Sequence, residues 1–115
     1  MGVRNWRCTI TRWVGDDPQP GIVEARAHDA EGREWVFVDK SAVFSALTLT
    51  RTTNYPVDGI IGCEVLLEGP RVSRVSTVWS AGRSAEDGPF DALYTEGETE
   101  FDVLTVNLLD PDSSG

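Results

Sequence analysis

Val23-Glu24-Ala25-Arg26-Ala27-His28-Asp29-Ala30-Glu31-Gly32-Arg33-Glu34-Trp35-Val36-Phe37-Val38 reads as strand, turn, strand. In the first arm Val23, Ala25 and Ala27 alternate with Glu24, Arg26 and His28, the period of two that sends alternate side chains to opposite faces of a strand. Asp29-Ala30-Glu31-Gly32 supplies the turn, with a short carboxylate that bonds nearby backbone and a glycine free to take positive φ. The second arm is apolar on both parities, Trp35 and Phe37 on one and Val36 and Val38 on the other. That pattern predicts a central strand covered on both faces.

The same alternation recurs on either side. Upstream, Trp6, Cys8 and Ile10 share a parity against Arg7, Thr9 and Thr11, predicting a strand that ends in the Gly15 to Gly21 loop. Downstream, Ser41 to Leu49 has room for one short helical turn, and Arg51 to Gly59 reads as an exposed connection. Ile61, Cys63, Val65 and Leu67 define the inward face of the next strand, Gly69-Pro70 turns the chain, and Arg71 to Trp79 returns it. Ala81 to Ala92 has loop composition, and a final hairpin turns at Glu96-Gly97 and runs through Phe101 to Leu109. Short strands separated by turn signals predict an all-β fold, a small antiparallel β-barrel of about six strands with a sandwich as the alternative. Residues 1–109 are expected to form one domain and 110–115 a short polar tail.

At 115 residues the chain buries roughly two-thirds of its extended surface without disulfides. Cys8 and Cys63 are far apart in sequence and suit buried free thiols in a reducing compartment, so a cytoplasmic location is expected. The chain has no apolar run of membrane-spanning length and no leader-like N-terminal stretch, and a membrane partner is not expected.

Charge is distributed unevenly. The chain carries 19 acidic and 10 basic residues, a net charge of −9, and residues 84–115 hold nine of the acidic residues and none of the basic ones. Such a surface repels phosphate backbones and attracts cationic partners, so nucleic acid is not expected. Glu98, Glu100 and Asp102 share a parity, which in a strand lines them up about 6.6 to 6.8 Å apart. Thr99, Phe101 and Val103 point the other way. A row of like charges requires screening, cross-strand cations such as Arg71 and Arg74, or a partner.

Chemistry-bearing motifs are sparse. His28 is the sole histidine and lies on the polar parity beside a turn, where a solvated side chain is expected rather than a proton shuttle. Cys8, Cys63 and His28 lack paired metal-ligand spacing, and the glycines form no phosphate-cradling loop, so neither metal nor cofactor is expected. Of the tryptophans, Trp6 and Trp35 lie on inward parities, whereas Trp13 has the opposite parity to Trp6 and is the expected exposed contact residue.

Gly21-Ile22-Val23-Glu24-Ala25, Gly32 to Lys40, and Tyr55-Pro56-x-x-Gly59-Ile60-Ile61-x-Cys63-Glu64-Val65-Leu66 resemble segments of a group of short, uncharacterised β-rich bacterial proteins. The resemblance spans about residues 21–68 and implies a bacterial, β-rich protein; no functional residue carries over from it.

These readings predict a non-catalytic protein-binding module that contacts a basic partner through Glu96, Glu98, Glu100 and Asp102, with Trp13 as an additional contact. One alternative is an immunity or inhibitor protein that neutralises a cationic toxin; another is a small hydrolase or isomerase using a carboxylate pair. Oligomeric state is left open.

Overall fold

The computed structural model describes residues 2–16, 21–45, 48–77 and 100–110. Its elements are β1 (Val3–Gly15), β2 (Ile22–His28), β3 (Glu34–Lys40), a one-turn helix α1 (Ser41–Phe44), β4 (Val57–Leu67), β5 (Val72–Ser76), β6 (Glu100–Leu104), a 3-10 turn (Thr105–Asn107) and β7 (Leu108–Leu109). The strands form one antiparallel sheet in the order β3-β2-β1-β4-β5-β6, curled into a half-barrel. No helix among the described residues is long and apolar enough to cross a membrane.

β1 organises the sheet. One of its edges pairs with β4 from Val3 to Ile10; the other pairs with β2 from Thr9 to Gly15 and with β7 at Asn5 and Trp6. The concave face is apolar, with Trp6, Ile10, Val23, Ala25, Phe37, Ile61, Val75, Phe101 and Val103 at its centre. Curling brings the end strands together: Trp35 of β3 packs edge-on against Phe101 of β6 at 4.9 Å, and the Ala30 N–H donates to the Asp102 carbonyl at 2.8 Å.

Several expectations are corrected. Among the described strands β3 is a terminal one rather than a central one. Its second apolar parity, Val36 and Val38, is half-buried opposite Arg26 and Glu24 of β2, where β-branched residues favour the strand. Leu67 does not continue the inward face of β4, because Leu66 is an extra residue between the Val65↔Val75 and Leu67↔Arg74 pairs, and this bulge turns Leu67 outward. The last hairpin strand stops at Leu104, where the 3-10 turn carries the chain across to β1. Trp79, the Ala81 to Ala92 loop and the Glu96-Gly97 turn lie outside the described residues.

Candidate functional site

The outer face of β5 and β6 follows from alternation. Ser73, Val75, Phe101 and Val103 are buried, so Arg74, Glu100 and Asp102 face solvent. Register places Arg74 opposite Asp102 and Ser76 opposite Glu100. The Arg74 guanidinium lies 3.2 Å from Asp102 Oδ1 and 3.5 Å from Glu100 Oε1, with all three side chains about half exposed. The hydrogen bond and charge of Asp102, reinforced by Glu100, raise the Arg74 pKa above its ordinary value. Two carboxylates thus share one guanidinium, and solvent screens the pairs. Arg71 contributes its backbone, its carbonyl accepting from the Thr105 N–H at 2.9 Å. Glu96 and Glu98 lie outside the described residues.

Trp13 is not brought to this face. Thr11 is an extra residue between the Ile10↔Ala25 and Arg12↔Glu24 pairs, so the inward parity of β1 switches from even to odd numbers and Trp13 turns toward the core. Its ring covers Gly21, and its indole N–H donates to Asp16 Oδ1 at 2.9 Å, while Asp16 also pairs with Arg51. The expected exposed aromatic is therefore a half-buried one.

A second polar cluster, on the outer face of β1 to β3, centres on Glu24, which is buried. Glu24 Oε1 accepts from Thr11 Oγ1 at 2.6 Å and from Arg26 Nε at 3.0 Å, and Oε2 accepts from Arg12 Nε at 3.2 Å. Arg26 Nη1 continues the network to Glu34 Oε1 at 2.7 Å, and His28 lies 3.5 Å from the other Glu34 oxygen. Burial pushes the Glu24 carboxyl up, but the hydrogen bonds from Thr11 and Arg26 and the charges of both arginines outweigh it and leave the pKa lowered. Asp29 behaves alike: burial raises its carboxyl, and bonds from Trp35 Nε1 and the backbone N–H groups of Arg33 and Glu31 bring it below the ordinary value. The bulge at Thr11 sets both Thr11 and Arg12 against Glu24, and a single inserted residue in β1 leaves no trace in the alternation of β2.

Among the described residues no group of three His, Cys, Asp or Glu side chains could hold a metal ion. Comparison with protein-family models, curated proteins and solved structures returned no match.

Proposed function

We propose that the protein is a non-catalytic binding module that meets a basic protein surface with the outer face of β5 and β6. The observation that carries this reading is that, among the described residues, two half-exposed carboxylates, Glu100 and Asp102, share one guanidinium, Arg74, which leaves negative charge for a partner to match. Glu98 and Glu96 extend the acidic row in sequence. A cytoplasmic bacterial immunity or inhibitor protein that covers a cationic toxin is a concrete form of this reading. The reading as a hydrolase or isomerase with a carboxylate pair draws less support from the described carboxylates Glu24 and Asp29, because the hydrogen bonds to them favour their ionised forms, whereas a general acid needs a raised pKa.

Neutral replacement by E98Q/E100Q/D102N tests the reading through affinity capture of basic proteins across a salt series. The native protein is expected to retain a basic partner at low salt and release it as salt rises, and the variant to lose it throughout. Equal recovery by both proteins at every salt concentration overturns the reading.

A further inference from the structure

The outer face of β5 and β6 is graded along its length. It is charged at Arg74↔Asp102 and Ser76↔Glu100 and apolar at Val72↔Leu104. Register sets Leu67, 67% exposed, opposite Arg74; Val72, 43% exposed, stands two residues away on the same face of β5; and Val106, 78% exposed, lies in the 3-10 turn that follows Leu104. Single exposed apolar residues are ordinary on a protein surface. Here the segments that carry them are fixed: the Leu66 bulge turns Leu67 outward, and hydrogen bonds tie the β4–β5 turn to the 3-10 turn that carries Val106. Thr105 Oγ1 donates to the Gly69 carbonyl at 2.8 Å and lies 2.7 Å from Ser73 Oγ, and the Gly69 N–H donates to Ser73 Oγ at 3.3 Å. A Cβ on Gly69 would stand 2.4 Å from the Val72 carbonyl oxygen, so the turn is closed too tightly for any larger residue. The apolar groups are held in place before any partner arrives, which lowers the ordering cost of binding.

Acidic residues flank this end on both sides. Glu100 and Asp102 share Arg74, and next to Leu67 the Glu68 carboxylate, at 3.1 Å, shares Arg4 with Asp110, at 3.9 Å. We propose that Leu67, Val72 and Val106 anchor the docking face, and that the occupant is an extended cationic segment of a partner protein carrying apolar side chains beside its Arg or Lys residues. The proposal rests on the protein-binding reading above and adds the chemistry of the partner. From Val72 to Ser76 the face runs about 13 Å, a length that an extended segment spans with its own period of two. A second copy of this chain fits less well, because two acidic faces, each on a protein of net charge −9, repel.

The test is an NMR titration of isotope-labelled protein with the end-blocked peptide Leu-Ser-Leu-Ser-Arg-Ser-Arg. Two control peptides replace both leucines by serine or both arginines by citrulline. The expected result is perturbation of the Leu67, Val72, Arg74 and Val106 amides, with affinity falling about tenfold in L67S/V106S and again in E100Q/D102N. The serine peptide should bind the native protein as weakly as the leucine peptide binds L67S/V106S. Because Leu67 and Val106 are largely exposed, L67S/V106S should keep the native melting temperature. If E100Q/D102N weakens binding and L67S/V106S does not, the anchor is overturned while the acidic reading stands. Equal binding of the citrulline and arginine peptides removes the acidic reading as well. Absence of peptide binding to this face at millimolar concentration overturns the anchor, as does a sedimentation change in L67S/V106S that marks a second copy as the occupant.

Discussion

Gly21 adopts φ of 123°, and a Cβ there would fall 2.0 Å from Trp13 Cη2. Alanine at this position meets both an unfavourable backbone and an occupied volume, so Gly21→Ala is expected to cost roughly 2–4 kcal/mol in denaturant unfolding and to alter Trp13 fluorescence. A native-like midpoint would mean that the ring does not rest on Gly21. Trp6 presents a different problem: its ring is fully buried among Phe37 and Phe101, yet its indole N–H has no acceptor among the described residues. Truncation by Trp6→Ala is expected to cost about 3–5 kcal/mol. Trp6→Phe should cost less than about 2 kcal/mol, because it also removes the unsatisfied donor. Equal losses for the two variants would contradict this account. The thiols are similarly constrained. Register sets Cys8 opposite Gly59 and Cys63 opposite Arg4, four residues apart along β1, or about 13 Å. Both are buried free thiols, and burial raises the pKa of each, that of Cys63 to about 12. Thiol reagents at mildly alkaline pH should therefore modify neither until the protein unfolds.

At the level of the element, alternation was legible and bulges were not. Trp6, Cys8 and Ile10 point inward as their period predicts, and so do Val23, Ala25, Ala27, Phe101 and Val103. One extra residue at Thr11 and another at Leu66 reverse the facing of Trp13 and Leu67. Nothing in the composition of either strand marks an insertion, because the strand opposite defines which residue is extra. The β2–β3 hairpin, in contrast, was readable from Asp29 and Gly32, and the structure adds that Asp29 also fixes Trp35 through its indole N–H at 2.9 Å. Glu24 and Asp29 have lowered folded-state pKa values, so their stabilisation is present above the ordinary carboxylate range, about 4, and is lost as pH falls through the folded values. Acid unfolding should steepen below about pH 4, and E24Q/D29N should flatten that dependence while lowering stability at neutral pH by about 1–3 kcal/mol per site. An unaltered pH profile in the double variant would show that other carboxylates control acid unfolding.

For the molecule as a whole, closure depends on contacts between the first and last strands of the curled sheet. Phe101 touches Trp6, Trp35 and Phe37 with ring centroids 4.9 to 6.0 Å apart, and the Ala30–Asp102 backbone bond lies beside it. Phe101→Ala should cost about 3–5 kcal/mol and speed hydrogen exchange at the Ala30 amide more than at amides within the β1–β4 ladder. Uniform acceleration across the sheet would instead indicate that closure is not a separate unit. The fold class, the strand–turn–strand order and the acidic bias of the C-terminal part were determined by the sequence itself, because period, turn chemistry and charge are properties of neighbouring residues. Tertiary structure alone decided that β3 lies at an end of the described sheet, that Trp13 turns inward and Leu67 outward, and that Arg74 pairs with both Glu100 and Asp102. Each of those outcomes depends on strand order or register, which long-range pairing sets and no local window of residues contains.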